Sequence, residues 1–421
     1  MGYKKACLAV VVLVLSFLVL LPATRSEAQG KVLKVGVLGP YTGPVALQGG
    51  EIKNAAIMAF ENIGYKIGDY KIELVWIDSQ SDPAKATNAY AEAVERFGIE
   101  ASILGYHSSV QAALMDLFVK YKIPHGYGPV GSEIINEKYR SDPKYKGYIF
   151  KAWVSVGQVA AGYADFINWV VQRGVWKPEN KRIALNSEDT DWGHSWSAGV
   201  KKAFLKSGWE VIADDYFPST QTDFYPLISK YMKGGASIIG GTTNYLSSTA
   251  AFLKQRQELG YKGVTIADSL TMMGEWYSLT GRASDGILDL LPTYASPAAK
   301  AFAAAYEKKF NAKPGPVGAG MPYDGANFFI KVARRALEKY GKLDRETIHK
   351  IALEEVATGK LDYTAKDGAI MMSRYRWTEQ STPDPVFGPD DWFLPIVQYE
   401  GGQGKIVFPE RMKEAEFKAP K

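Results

Sequence analysis

The chain has 421 residues, of which 46% are hydrophobic and 23% are charged, and its formal net charge is +5. This length exceeds one typical hydrophobic core and predicts two lobes. Basic and acidic residues are interspersed without a basic stripe, so we do not expect nucleic acid as a partner. The only cysteine, Cys7, lies in the N-terminal segment. The remainder therefore has no residue for disulfides, thiol catalysis or cysteine-ligated metal.

The N-terminal segment has the three parts of a secretory signal peptide. Lys4 and Lys5 supply positive charge, residues 6–21 are almost entirely apolar, and Pro22 ends the run. The small residues that follow predict cleavage after Ala28 and export of the protein to the periplasm. A retained membrane anchor is the alternative, but the apolar run is shorter than the roughly 20 residues that a spanning helix needs.

The rest of the chain alternates short β-branched runs with amphipathic stretches, as is typical of parallel sheets with crossover helices. The first unit has predicted strands at 32–38, 72–77, 102–105 and 123–126, and helices at 49–63, from Asp82-Pro83 onward and at 109–120. After an extended stretch at 151–155, the second unit has predicted strands at 181–187, 210–216, 236–240 and 264–267, and helices at 158–173, 192–206, 223–232 and 246–259. Later helices are predicted at 297–310, 323–340 and 345–355 and a strand pair at 393–399 and 404–408, while 359–391 has no assignment.

This order of elements predicts an α/β fold with two Rossmann-like lobes and a ligand cleft between them, the architecture of a venus-flytrap receptor. We expect a signal peptide at 1–28, the first part of lobe 1 at 29–152 and the first part of lobe 2 at 153–292. The expected role of 293–421 is to return to both lobes and to end in an irregular region. A chain that passes between two lobes more than once forms hinge strands.

In open α/β sheets the ligand lies beyond the carboxyl ends of the strands, so the loops after the strands are the candidate site. Residues 39–44 and Gly49-Gly50 follow the first strand, but their spacing does not fit a dinucleotide-binding loop. They indicate either the rim of a solute cleft or an ordinary strand-to-helix loop. Residues 105–109 open a helix with two serines, which favours a carboxylate site, although plain helix capping is the alternative.

Residues 187–195 contain three carboxylates, a histidine and a serine. The acids are near neighbours at a helix start, where they favour the helix dipole, and no nucleophile-elbow context is present. We therefore expect no enzyme; an exported hydrolase using Asp189 and His194 is the alternative. Trp192 is interpreted as a cleft wall that stacks on the ligand. With four histidines in the chain, no metal site and no cofactor are expected.

The loops at 240–245 and 267–269 place further polar side chains at the predicted cleft. Asp268 suits a cationic group of a ligand. The alternative is a surface aspartate that caps a turn.

Four motifs in this order resemble the type I periplasmic binding proteins of branched-chain amino acid ABC transporters, the leucine/isoleucine/valine-binding group. They are Gly39-Pro-Tyr-Thr-Gly-Pro44, Asp78 with Asp82-Pro83, Gly105-Tyr-His-Ser-Ser109, and Asp223-Phe224. The resemblance runs from about residue 32 to residue 408. It implies two lobes that are joined by three crossings and close around a ligand.

The resemblance also implies ligand contacts. Ser108 and Ser109, with nearby backbone amides, would hold a ligand α-carboxylate. A second carboxylate contact would come from the loop at 128–132, where Gly131 stands in place of a hydroxyl residue. The remaining implied positions are Gln48, Tyr106, Val130, Ser132, Trp192, Asn244 or Tyr245, and Asp268, the last near the place of a glutamate that neutralises an ammonium group. Because Gln48, Gly131, Trp192 and Asp268 depart from the family pattern, the ammonium end and the side-chain pocket are expected to differ.

We therefore expect a monomeric receptor that captures an amino acid or a related small carboxylate or amide. It would deliver the solute to the membrane permease and ATPase of an ABC transporter. Two alternatives stay open: an exported ligand sensor for a signalling partner, and a receptor for an aromatic acid, an amide or urea.

Overall fold

The computed structural model describes residues 30–420. The predicted signal peptide at 1–28 therefore lies outside the described residues. Within 30–420, no helix is both long enough and apolar enough to cross a membrane.

Lobe 1 is built on a six-stranded sheet in the order β2-β3-β1-β4-β5-β6, parallel except for the antiparallel pair β2–β3. Its strands are β1 (Lys31–Gly39), β2 (Lys66–Ile67), β3 (Tyr70–Asp78), β4 (Ala101–Leu104), β5 (His125–Gly128) and β6 (Ile149–Lys151). Its first helices are α1 (Ala46–Glu61), α2 (Pro83–Glu95), α3 (Ser108–Lys120) and α4 (Glu133–Ser141). The predicted start of α2 is confirmed: the Asp82 carboxylate accepts hydrogen bonds from the Ala84 and Lys85 amides, with Pro83 as the first helical residue.

Lobe 2 repeats the alternation of strand and helix. Its first strands are β7 (Arg182–Glu188), β8 (Glu210–Phe217), β9 (Ile238–Thr242), β10 (Val264–Asp268) and β11 (Leu288–Leu290). Its helices are α5 (Val156–Val159), α6 (Ala161–Gln172), α7 (Asp191–Lys206), α8 (Tyr225–Lys233), α9 (Leu246–Glu258) and α10 (Trp276–Thr280).

The remaining chain serves both lobes. It contains α11 (Pro297–Phe310), a π-helical turn (Pro316–Gly320), α12 (Met321–Tyr340), α13 (Arg345–Ile351), a second π-helical turn (Ala352–Val356), β12 (Tyr363–Thr364), β13 (Arg374–Tyr375), β14 (Ile396–Glu400) and β15 (Gln403–Phe408). Helix α12 packs against α1, β4 and β5 of lobe 1. Strands β14 and β15 complete the lobe 2 sheet, whose order is β15-β14-β11-β10-β9-β7-β8.

The described chain thus passes between the lobes three times: after β6, after β11 and before β14. The two-lobed α/β fold predicted from the sequence is confirmed, and the crossings place a cleft between the carboxyl ends of both sheets. The short elements β2, β11 and α4 were not predicted. The predicted helix at 158–173 divides at Ala160 into α5 and α6, and both helices pack against α7.

The unassigned segment 359–391 docks on lobe 1. The Trp377 ring is fully buried and stacks on Phe328 of α12 with ring centroids 5.1 Å apart. Asp384 forms a buried ion pair with Lys151, which ends β6, at an Nζ–Oδ1 distance of 2.8 Å. This segment therefore holds the start of the first crossing in place. Sequence periodicity does not predict the structure of segment 359–391, because that structure depends on contacts with distant parts of the chain.

Candidate functional site

A narrow cavity lies between the two lobes, at the carboxyl ends of both sheets. Lobe 1 lines it with Tyr106, Ser108, Pro129 and Val317. Lobe 2 lines it with Trp192, Asn244, Ser269 and Met272, and the first two crossings add Trp153 and Leu291. The cavity thus combines aromatic and aliphatic walls with a few hydroxyl and amide groups, as is typical of small-molecule sites.

The start of α3 faces this cavity. The residue before the helix, His107, makes no side-chain hydrogen bond to the first-turn amides. Ser108, the first helical residue, is 4% exposed, and its Oγ accepts a hydrogen bond from the Ser132 amide at 3.3 Å. The Ser108 hydroxyl keeps its own proton to donate. A helix N-terminus with unclaimed amides and a hydroxyl donor suits an anionic oxygen.

The lobes contact each other around the cavity through residues that were predicted to bind the ligand. Gln48 Nε2 donates to the Asn244 carbonyl at 3.4 Å. Ser132 Oγ donates to the Asp191 carbonyl at 3.1 Å and lies 2.9 Å from Ser195 Oγ. These contacts join α1 and the loop before α4 in lobe 1 to the loop after β9 and to α7 in lobe 2, so in this structure Gln48 and Ser132 act between the lobes.

Gly131 lies where two tryptophan rings meet. A Cβ atom at this position would be 2.7 Å from Trp153 Cδ1 and 2.7 Å from Trp192 Cζ3. The absence of a side chain at Gly131 therefore lets both rings approach the lobe 1 backbone. Trp192 is held from the other side, because its Nε1 donates to Thr242 Oγ1 at 3.0 Å.

Glu188, at the end of β7, fixes the loop that carries Asn244. It accepts hydrogen bonds from the Asn244 amide at 2.8 Å, from Asn244 Nδ2 at 2.6 Å, and from the hydroxyls of Thr243 and Thr190 at 3.1 and 2.9 Å. Burial raises the pKa of this carboxyl, and the four donors oppose that rise. Glu188 therefore stabilises the loop that forms this wall of the cavity.

Asp268 is buried, so its interpretation as a surface residue is wrong. Its carboxylate accepts hydrogen bonds from the Tyr163, Ser269 and Thr242 hydroxyls at 2.6, 3.0 and 3.2 Å. It lines a second narrow cavity, inside lobe 2. Burial raises the pKa of Asp268. Its suggested contact with a cationic ligand group stays a prediction, since three hydroxyls already occupy its oxygens.

Asp289 on β11 supports the same wall. It accepts hydrogen bonds from the backbone amides of Ser269 and Leu270 at 3.2 and 3.0 Å. Ser269 has φ = +74°, a left-handed conformation that a non-glycine residue adopts only at a cost. Burial, together with the nearby Asp268 charge, raises the pKa of Asp289. These amide bonds keep Ser269 in the cavity wall.

Glu51 was not predicted from the sequence, because it lies in the amphipathic pattern of α1. Its carboxylate reaches from lobe 1 to the Gly274 amide at 2.9 Å and to the Gly315 amide at 3.1 Å. Burial raises the pKa of Glu51 to about 8, against the effect of these two amides. Gly274 follows β10 of lobe 2, so Glu51 is a buried link between the lobes.

Of the predicted site residues, Tyr106, Ser108, Trp192 and Asn244 line the cavity. Ser109 is half-buried as the second residue of α3, Val130 is buried in the lobe 1 core, and Tyr245 precedes α9 outside the lining. Their roles as ligand contacts stay predictions. Sequence reasoning missed Trp153, Met272, Leu291 and Val317 as site residues, whereas Pro129 and Ser269 lie in loops that it placed at the cleft. Trp153 and Leu291 lie at the ends of strands that open crossings, a position that only the topology reveals.

The acid–histidine cluster at the start of α7 lacks a nucleophile. His194 Nε2 lies 2.7 Å from Asp189 Oδ1, but both side chains are more than half exposed. Ser195 Oγ pairs with Ser132 and with the Glu133 amide rather than with His194. This is not the nucleophile–base arrangement of a hydrolase. Within residues 30–420, no group of three or more His, Cys, Asp or Glu side chains is arranged to hold a metal ion.

Comparisons with known proteins agree with this geometry. The family described as periplasmic binding protein matches residues 32–379. The chain is 26% identical to the Leu/Ile/Val-binding protein homolog 6 of Brucella suis biovar 1 (strain 1330) over 59% of its own length and 60% of that relative. It thus spans about three fifths of the length of this relative.

Two solved structures share the fold. One is a solute-binding protein of an ABC transporter from Rhodopseudomonas palustris BisB5 in complex with 3,4-dihydroxybenzoic acid, with TM-score 0.73, 21% identity, and coverage of 93% of this chain and 98% of that one. The other is a branched-chain amino acid ABC transporter protein from Thermus thermophilus with bound valine, with TM-score 0.72, 19% identity, and coverage of 90% and 96%.

Proposed function

Because the chain belongs to the periplasmic binding protein family, whose members are ligand-binding receptors and not enzymes, we propose that it is the solute-binding component of an ABC transporter. It captures one small solute between its lobes and presents it to the membrane permease, whose ATPase drives uptake. It works in the periplasm, after the signal peptide at 1–28 has been removed. The contacts between the lobes at Gln48, Ser132 and Glu51 support a closed form that encloses the solute, and the permease recognises that form.

The ligand that fits the cavity best is a small carboxylate with a flat apolar body. The observation that carries this proposal is the uncapped start of α3 at Ser108, which lines the same cavity as the rings of Trp153 and Trp192. The helix start and the Ser108 hydroxyl would bind the carboxylate through charge-assisted hydrogen bonds. The tryptophan rings would pack on the body of the ligand, as aromatic surfaces do in offset or edge contacts.

The ammonium group of an amino acid finds less support. Among the described residues that line the cavity, none is Asp or Glu. A buried ammonium group without a carboxylate partner is costly. An aromatic acid avoids this cost, and the protein from Rhodopseudomonas palustris is described with such an acid bound.

A branched-chain amino acid is the second candidate. Glu188 lies directly behind Asn244 in the cavity wall, with Asn244 Nδ2 only 2.6 Å from Glu188 Oε1. A ligand ammonium that displaced the Asn244 amide would reach this carboxylate. The curated relative from Brucella suis carries a Leu/Ile/Val-binding name, and the Thermus thermophilus structure contains valine.

A thermal-shift screen separates these candidates. The mature protein is mixed with benzoate, 4-hydroxybenzoate, phenylacetate, L-leucine, L-valine, benzamide and urea, and hits are titrated by calorimetry. A ligand that binds only the folded state at 100 times its Kd adds about 2.7 kcal/mol of stability. We expect the largest rise in melting temperature with the aromatic acids. A rise with leucine or valine alone would favour the second candidate, and no rise with any carboxylate would contradict both.

The transport role is tested separately from binding. Deletion of the gene is expected to abolish uptake of the radiolabelled ligand by cells. Normal uptake by the deletion strain would instead favour an exported sensor for a signalling partner.

A further inference from the structure

Trp153 has a buried indole N–H with no hydrogen-bond partner among residues 30–420. The side chain is 5% exposed and lines the cavity between the lobes. Buried donors in folded proteins are nearly always paired, because an unpaired donor has lost its water without gaining a new acceptor. The unpaired N–H in the wall of a cavity therefore needs an explanation, and an acceptor on the ligand supplies one.

The neighbouring tryptophans use their N–H groups within the protein. Trp192 Nε1 donates to Thr242 Oγ1 at 3.0 Å, and Trp392 Nε1 donates to the Ala152 carbonyl at 2.9 Å. Trp392 also packs edge-on against Trp153, with ring centroids 5.1 Å apart and the planes at 70°. The Trp153 ring is therefore fixed in orientation while its N–H stays unclaimed.

The position of Gly131 shows where this N–H lies relative to Ser108. A Cβ atom on Gly131 would be 3.2 Å from Trp153 Nε1, so the N–H edge of the indole lies beside the Gly131 backbone. The backbone N–H of the next residue, Ser132, donates a hydrogen bond to Ser108 Oγ at an N–O distance of 3.3 Å. Trp153 Nε1 and Ser108 Oγ thus lie beside two adjacent residues of one loop, Gly131 and Ser132, and both Trp153 and Ser108 line the cavity.

We propose that Trp153 determines ligand specificity by donating its indole N–H to the ligand carboxylate alongside Ser108. This inference rests on the proposed function as a carboxylate receptor. An indole N–H can donate but cannot accept, so the ligand atom that it meets must be an acceptor. A carboxylate has two acceptor oxygens and matches two donors, whereas the NH₂ end of a primary amide would place donor against donor.

The test compares benzoate with its neutral isostere benzamide by calorimetry, in the wild type and in Trp153→Phe. We expect Trp153→Phe to bind benzoate at least about 10-fold more weakly, as for the loss of a hydrogen bond to a charged group. The preference for benzoate over benzamide is expected to fall by a similar factor. Trp209→Phe, the same change at a tryptophan whose N–H bonds Asn168 outside the cavity lining, is the control and is expected to change neither value.

A second substitution keeps the ring volume. Replacement of Trp153 by 3-benzothienylalanine exchanges the N–H for sulfur in a ring of nearly the same shape, so the packing against Trp392 is retained. The same loss of benzoate affinity and preference is expected, and this measurement decides the matter if Trp153→Phe does not fold.

The outcomes separate this inference from the proposed function. If the wild type binds benzoate and the variants bind it equally well with the same preference, the role of Trp153 is overturned while the receptor function stands. If the wild type binds none of the carboxylates in the screen, the ligand class is contradicted and the role of Trp153 falls with it.

Discussion

In the lobe 1 wall of the cavity, α3 begins without a side-chain cap and the Ser108 hydroxyl keeps a proton to donate. In the lobe 2 wall, Thr190 caps α7 by accepting from the Gly193 amide, and the acid behind it, Glu188, accepts four hydrogen bonds from its own loops. The two walls come from similar α/β units, but they differ in which polar groups are already satisfied. We expect the lobe 1 donors to bind the ligand, whereas the lobe 2 acceptors hold the shape of their own wall.

We therefore expect ligand affinity and the shape of the cavity to depend on different residues. Substitutions in the lobe 1 wall are expected to change ligand binding with little effect on folding. Substitutions of the lobe 2 acids are expected to change stability first, because each acid fixes a loop rather than the ligand.

The largest expected effect concerns Glu51, the lobe 1 acid that reaches lobe 2. With a pKa of about 8 in the folded protein, against an ordinary value near 4.5, the folded state holds a proton that the unfolded state has released between these pH values. Stability therefore falls as the pH rises from 5 to 8, by an amount on the order of 3 kcal/mol for this group. Glu51→Gln, which cannot ionise, is expected to lose less stability over the same range.

The measurement is the free energy of unfolding in urea at pH 5, 6, 7 and 8 for both proteins. Other buried acids with raised pKa values, such as Asp324, stay in both proteins, so the difference between the two curves isolates Glu51. Glu275 lies near enough to contribute to the raised pKa, and Glu275→Gln is expected to reduce the slope only slightly. Parallel curves for wild type and Glu51→Gln would contradict the assignment.

The second prediction concerns the serine pair at the start of α3. Ser108→Ala is expected to weaken carboxylate binding by about 10- to 100-fold, as for the loss of one hydrogen bond to a charged group. Ser109→Ala is the matched control, because Ser109 is on the same turn but outside the cavity lining. Calorimetry with benzoate measures both. Equal losses in the two variants would restore the view that the pair acts as a unit.

The third prediction concerns the lobe 2 wall. Glu188→Gln keeps the side-chain shape but turns an NH₂ group toward donors, so it is expected to destabilise the protein by about 1–3 kcal/mol. Ligand affinity is expected to fall less than in Ser108→Ala. Asp189→Asn, the same change at the adjacent exposed acid, is the control for stability. The comparison of the two walls fails if Glu188→Gln leaves the melting temperature unchanged.

Much of the fold could be predicted from the sequence, because apolar spacing records which face of each strand and helix is buried. Capping residues correctly predicted the start of α2, and the sequence pattern correctly predicted the bounds of α11 at 297–310. The strands β2 and β11 were not predicted, because a strand of two or three residues is too short to show a periodic pattern. The structure of residues 359–391 was not predicted, because Trp377 and Asp384 contact residues in distant elements.

The site was less predictable than the fold. Loops after strands identified Tyr106, Ser108, Trp192 and Asn244, since the carboxyl ends of parallel strands meet at one edge. Glu51 was hidden, because its partners Gly274 and Gly315 lie 223 and 264 residues away in the sequence. An unpaired indole N–H also has no sequence signal, because it depends on the neighbours that the fold supplies.

The smallest expected effect concerns Trp192, whose ring faces the cavity while its N–H belongs to the lobe 2 wall. Trp192→Phe keeps an aromatic surface but loses the hydrogen bond to Thr242, which is expected to cost about 1 kcal/mol of stability. Because this N–H does not face the ligand, benzoate and benzamide are expected to lose affinity by the same small factor, in contrast to Trp153→Phe. Calorimetry with both ligands measures this. If Trp192→Phe lost affinity for benzoate but not for benzamide, the Trp192 N–H would have to turn from Thr242 to the ligand carboxylate. The proposed difference between the two walls would then be wrong.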